Sequence, residues 1–164
     1  MKKLLASLVG SAGLIAGAGL AHPPQQHAAD AANLDVAEPA KAAVATVDRF
    51  FAALSAGDLD KAAAELDPDV VILESGGAEH SAAEYLGGHA KHDAEFLKGA
   101  RHTLGRRTAR ASGDLAWVAS ESELHTEQDG KPMTIASTET MVLRHTDAGW
   151  KIVHIHWSSH AKKP

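Results

Sequence analysis

Apolar positions Val44, Val47, Phe51 and Leu54 recur at helical spacing after Pro39, a residue suited to a first helical turn, and Gly57 stands where that helix would end. Asp58 is placed to cap a second short helix reaching about Leu66, which Asp67-Pro68-Asp69 then breaks. The run Val70-Val71-Ile72-Leu73-Glu74 predicts a strand stopped by Ser75-Gly76-Gly77. Ser81-Ala82-Ala83-Glu84 has the spacing of a capping box and opens a third helix through Tyr85, Leu86, His89, Asp93, Phe96 and Leu97, with Gly99 near its end. Beyond it the pattern is nearly all strand, over about 101–111, 115–127, 132–145 and 150–158. Ser112-Gly113-Asp114, Asp129-Gly130 and Asp147-Ala148-Gly149 separate these runs as turns. Helices followed by four long antiparallel strands predict an α+β fold in which a curved sheet wraps the N-terminal helices on one face.

The first residues carry a different pattern. Lys2 and Lys3 precede an apolar stretch from Leu4 to about Ala18, and Gly19-Leu20-Ala21 offers small residues where a signal peptidase would cut. Residues 1–21 therefore read as a signal peptide cleaved near Ala21, and the protein as exported, periplasmic or secreted. The apolar run is shorter than the roughly 20 residues of a spanning helix, so no membrane span is expected in the mature chain. Residues 22–37, rich in Pro, Gln and Ala, read as a flexible tether, residues 38–160 as one domain and 161–164 as a tail. His22, if it became the N-terminus, could chelate copper(II) through its amine and ring.

The chain has no cysteine, which excludes disulfides and thiolate metal sites. Loss of Lys2 and Lys3 would take the formal charge from −5 to −7, since Lys+Arg would fall from 16 to 14 against 21 Asp+Glu. No nucleic-acid partner is expected of so acidic a domain. The basic cluster Arg101, Arg106, Arg107 and Arg110 reads as a solvated strand face, with Arg106 and Arg110 on the side of His102.

The segments VDRFFAALSAGDLDKAAAELDPDVVI, SGDLAWVAS and TMVLRHTDAGWKIVHIHWSS, in this order and spacing, resemble the nuclear transport factor 2-like superfamily, specifically its bacterial SnoaL-like branch. The resemblance covers roughly residues 40–160. It implies a cone-shaped domain whose bent sheet and helices enclose a pocket, often in a dimer, and in isomerase and cyclase members an acid/base residue in that pocket. The chain departs from the steroid isomerase pattern: Tyr85 is its one tyrosine, and the later strands carry no Asp. The strand carboxylates are Glu74, Glu121, Glu123 and Glu139.

Eleven histidines are present, eight of them at or near the predicted pocket elements: His80, His89, His92, His102, His125, His154, His156 and His160. On the last strand His154 and His156 alternate with Val153, Ile155 and Trp157, so both imidazoles share a face about 7 Å apart. Tyr85, His89, His92 and Asp93 can share the core-facing side of the third helix. With a two-residue turn at Asp129-Gly130, Glu121 pairs Thr138 and Ser120 pairs Glu139. A two- or four-residue loop at Thr146–Gly149 sets His154 and His156 on the face of Glu139; a three-residue loop sets them with Glu121 and Glu123. Glu139 is the preferred partner. The expected pocket set is thus Tyr85, His89, His92, Glu139, His154 and His156, with His89, His154, His156 and Glu139 able to hold a divalent transition metal, zinc or copper. The leading function is an exported pocket domain binding such a metal or a small polar ligand, without a nucleotide cofactor. An isomerase, cyclase or hydrolase using a pocket His or Glu as base is the alternative, and a non-catalytic dimeric interaction domain a third.

Overall fold

The computed structural model describes residues 31–128 and 130–163. The expected signal peptide, most of the tether and His22 lie outside the described residues. A short strand β1 (Asn33–Val36) and a 3-10 turn (Glu38–Ala40) lead into helices α1 (Lys41–Ala56) and α2 (Leu59–Glu65). Strands β2 (Leu66–Glu74) and β3 (Gly77–Glu79) follow, then α3 (Ala82–Gly87) and α4 (His89–Gly99). The chain ends in β4 (Arg101–Ser112), β5 (Leu115–Gln128), β6 (Lys131–Thr146) and β7 (Gly149–Ala161). All seven strands form one curved, unclosed sheet in the order β1-β4-β5-β6-β7-β2-β3, with the helices on one face.

Local signals position the helices. Gly57 ends α1 in the left-handed conformation at φ 73°. Asp58 Oδ1 accepts the Lys61 amide at 3.1 Å and opens α2. Ser81 Oγ accepts the Glu84 amide at 3.1 Å, while Glu84 Oε2 accepts the His80 amide at 2.8 Å, one residue before the cap. The third helix differs from expectation in being two, divided at Gly88, whose φ −131° and ψ −89° are not helical. Adjacent Gly87 and Gly88 make continuation of the helix costly in backbone entropy there.

The sheet also corrects two boundaries. The sheet takes in part of the expected tether, because Asn33–Val36 pairs in parallel with Arg106–Ala109 and Asp35 binds Arg110 at 2.8 Å. Ala161, expected in the tail, still belongs to β7 and pairs with Ile135.

The β5–β6 and β6–β7 connections are each two residues long, with Gln128 opposite Lys131 and Thr146 opposite Gly149. Ser120 therefore pairs Glu139 and Glu121 pairs Thr138, as the turn predicts. In the second hairpin, Leu143 pairs Ile152 but the next pair is Val142–His154. Val153 is an extra residue, a β-bulge, and it reverses the faces of everything after it. His154 and His156 consequently lie on the face of Glu121, away from Glu139, although the loop has the length that alone would have put them together. A second bulge at Gly105 separates His102, which faces the helices opposite Leu124, from Arg106 and Arg110 on the outer face. A Cβ at Gly105 would stand 3.4 Å from the Glu121 carbonyl oxygen, so the strands approach closely there.

Paired residues share a face, and the register draws rows across the inner one. Ile72, Ile155, Met141, Val118 and Ala109 form a fully buried apolar row. Val47, Phe50 and Leu54 of α1 and Tyr85 of α3 complete the core with it. Burial of each large apolar side chain contributes about 1.5–3 kcal/mol. The next row is Glu74, Trp157, Glu139, Ser120 and Arg107, and beyond it Ser159, Ser137 and Ser122. Among the described residues no helix is long and apolar enough to cross a membrane.

Candidate functional site

The serine row and, from the polar row, Glu74, Trp157, Glu139 and Ser120 line a cavity of about 120 Å³ between the sheet, α1 and α4. Phe51 and Leu54 of α1, Phe96 and Leu97 of α4, and Leu124 and Ile135 of the sheet make its walls apolar. Glu139 and Ser120 lie on the sheet side, Glu74 and Asp93 also line the cavity, and Ser122, Ser137 and Ser159 add hydroxyls.

Glu139 is buried, and Trp157 Nε1–H donates to its Oε2 at 3.1 Å. Ser120 stands opposite Glu139 across β5 and β6, and its Oγ receives Arg107 Nε–H at 3.1 Å. Arg107 Nη1 in turn binds Asp48 Oδ1 of α1 at 2.6 Å. Burial raises the Glu139 pKa, and outweighs the lowering by Trp157, Ser120 and Arg107. Phe50 stacks on Trp157 with centroids 6.4 Å apart and so holds the indole in place. His102, which the sequence offered without a partner, lies against Phe51 with ring centroids 5.7 Å apart. Burial, assisted by Arg107, lowers its pKa and keeps it neutral near pH 7.

A second group of side chains lies where β2, β3, α3 and α4 meet. Tyr85 is fully buried and donates its hydroxyl to Asp93 Oδ2 at 2.8 Å. His89 Nδ1 is 3.0 Å from Glu79 Oε1, and His89 Nε2 lies 3.6 Å from both Glu74 Oε2 and Asp93 Oδ1. Burial raises the pKa of Glu74, with Asp93 adding to the effect. Asp93 is raised by burial too, against the Tyr85 hydrogen bond. For His89 burial is the largest influence and lowers the pKa, but Asp93, Glu79 and Glu74 together turn the net shift upward. Tyr85 is kept protonated by burial and by Asp93.

The structure therefore divides the expected pocket set. Glu139 lines the cavity, and Tyr85 and His89 belong to the carboxylate group beside it. His92 is exposed on α4. His154 lies on the outer face with Nδ1–H directed to the Val71 carbonyl at 2.9 Å, and exposed His156 pairs Thr140 there. His89, His154, His156 and Glu139 do not converge, so the expected four-residue metal set is not formed. Sequence reasoning passed over Ser120, Arg107, Trp157 and Glu79 as site residues. Ser120 and Trp157 had a signal, the former in its pairing with Glu139 and the latter in its alternation with the histidines.

Residues 43–162 match the family model described as a SnoaL-like domain. No curated protein matches the chain at a significant level. Among solved structures, a candidate ketosteroid isomerase from Shewanella frigidimarina is 36% identical, with TM-score 0.68 over 71% of this chain and 94% of that one. The CaMKII hub of S. rosetta is 26% identical, with TM-score 0.62 over 76% of this chain and 98% of that one. An NTF2-like protein with a cystatin-like fold from Novosphingobium aromaticivorans shares the fold at 19% identity and TM-score 0.62, over 71% and 79% of the two chains. With its sheet and helices arranged as in these structures and its domain matched nearly end to end, the chain belongs to the SnoaL-like family of the NTF2-like superfamily.

Proposed function

We propose that the domain binds a small organic molecule of about one ring and moves a proton within it through Glu139. The observation that carries this reading is a buried carboxyl group with raised pKa, lining a largely apolar cavity and bound by the Trp157 indole N–H. A carboxylate whose pKa is pushed toward neutrality is a stronger base when ionised and a competent acid when protonated. Trp157 Nε1–H fixes its orientation. In the proposed step Glu139 takes a proton from a carbon beside a carbonyl, the electron pair moves onto the carbonyl oxygen, and the same carboxyl returns the proton to another carbon. The serine hydroxyls are available to the developing oxyanion.

Cavity size narrows the ligand. An apolar cavity of about 150 Å³ takes up benzene, so a cavity of about 120 Å³ suits a ligand group of about one ring. The resemblance to the candidate ketosteroid isomerase supports the proton-transfer chemistry rather than the ring count. A panel of one-ring β,γ-unsaturated ketones, beginning with 3-cyclohexenone, tests the reading by appearance of the conjugated enone absorbance. Glu139→Gln is expected to lower the rate by about 10²–10⁴-fold. Phenol, an enol mimic, is expected to quench Trp157 in a Trp117→Phe, Trp150→Phe background. Equal turnover by the Glu139→Gln variant, or bound phenol with no turnover across the panel, rejects proton transfer.

We also propose export, on the pattern of residues 1–21; N-terminal sequencing of the mature protein should begin at His22, and an intact Met1 would overturn it. For the outer sheet face, the partner we propose is a second copy of the chain, because Trp117 and Leu73 stand there 41% and 37% exposed.

A further inference from the structure

We infer that Glu74, His89 and Asp93 form a binding site for a divalent transition-metal ion of the zinc class, beside the cavity and distinct from Glu139. One ligand atom from each lies within 4.8 Å of the other two. His89 Nε2 is 3.6 Å from each carboxylate oxygen. Two ligand atoms held about 2.1 Å from a tetrahedral zinc stand roughly 3.4 Å apart. The present spacing is therefore close to that of a coordination polyhedron, and too long for hydrogen bonds.

Four further features agree. Glu79 accepts from His89 Nδ1, which directs the Nε2 lone pair at Glu74 and Asp93, as an outer carboxylate does for a metal-bound imidazole. Tyr85 occupies Asp93 Oδ2 and leaves Oδ1 for an ion. Glu74 Oε2 is shut off from solvent without a hydrogen-bond partner, the one such side-chain atom among the described residues. An orphaned buried carboxylate oxygen is costly unless a cation or proton meets it. Lastly, among the described residues neither Lys nor Arg forms an ion pair with Glu74, Glu79 or Asp93; each has only His89.

One imidazole and two carboxylates make a donor set suited to zinc or manganese, whereas magnesium and calcium prefer oxygen alone. Glu74 and Asp93 also line the cavity, so free coordination positions would face it and could take an oxygen atom of water or ligand.

Tag-free protein treated with chelator and dialysed should be titrated calorimetrically with zinc, manganese and magnesium chlorides, and with cobalt(II) followed by its visible spectrum. One zinc per chain is expected, with magnesium at least 10-fold weaker. His89→Ala and Asp93→Asn should abolish the intense tetrahedral cobalt spectrum, and Glu79→Gln should weaken zinc by about 10–100-fold. The double variant His154→Ala, His156→Ala should bind as the parent does. Melting curves without metal identify any variant that fails to fold, and the near-isosteric Glu74→Gln supplies a second ligand test. Glu139→Gln should keep full zinc affinity, so failure of the proton-transfer reading would leave this one standing. Absence of zinc binding by the folded parent, or binding that survives His89→Ala and is lost in the His154/His156 variant, overturns the site.

Discussion

Glu139 is bound by Trp157 Nε1–H and stands opposite Ser120 on a row that continues to Arg107, and its burial raises its pKa above the ordinary 4.5. A folded state that holds a proton more tightly than the unfolded chain is favoured by acid. The contribution is complete below about pH 4.5, where both states are protonated, and is lost as pH rises through the raised native value. Glu139→Gln removes the ionisation but keeps an acceptor for Trp157. Melting temperatures of variant and parent, taken from pH 4 to 8, should diverge in favour of the variant as pH rises; a difference that stays flat would show that folding does not raise the Glu139 pKa. At this scale the sequence supplied Glu139 as one of four strand carboxylates, and the Asp129-Gly130 turn supplied its pairing with Ser120. It could not supply the role of Trp157, whose indole was read as the apolar alternate of two histidines. The histidines misled because side-chain type says nothing about which face a strand presents.

Helix α3 is only six residues long, yet it carries Tyr85 to Asp93 of α4. So short a helix depends on its cap, and Ser81 Oγ is the side-chain acceptor for its first turn. Ser81→Ala should cost about 1 kcal/mol, seen as a fall of a few degrees in melting temperature, with Ser81→Asp close to the parent. It should also weaken zinc binding while leaving phenol quenching unchanged, because Tyr85 no longer holds Asp93 while Glu139 is untouched; equal loss of both would mean a general loosening. Caps and turns were legible because each depends on residues a few positions apart. The bulges at Gly105 and Val153 were not, since they exist only in relation to a neighbouring strand. The same holds for β1: Asn33–Val36 has no strand pattern of its own and is ordered by the edge of β4.

The seven-stranded sheet has its helices on one side only, which leaves the other face of β4 to β7 and β2 for solvent or a partner. Across it run Arg110, Trp117, Val142, His154 and Val71, and beside them Thr108, Ala119, Thr140, His156 and Leu73. Thr108, Ala119 and Thr140 are small enough for a second sheet to approach to the usual ~10 Å, and Trp117 is the large apolar residue such a contact would cover. Arg106 lies opposite Glu121 on the same face, so two copies related by a two-fold axis can meet without net repulsion. Each edge of the sheet is a short strand, β1 or β3, which disfavours association edge to edge. A stable face-to-face dimer needs about 800 Å² from each copy, an area available on five strands. Light scattering during size-exclusion chromatography should therefore give twice the chain mass at micromolar concentration. Trp117→Glu should give one chain mass with an unchanged circular dichroism spectrum and intact phenol quenching, since the cavity opens on the opposite face. A parent protein that already runs as a monomer would leave Trp117 without a partner and reject the assignment of this face.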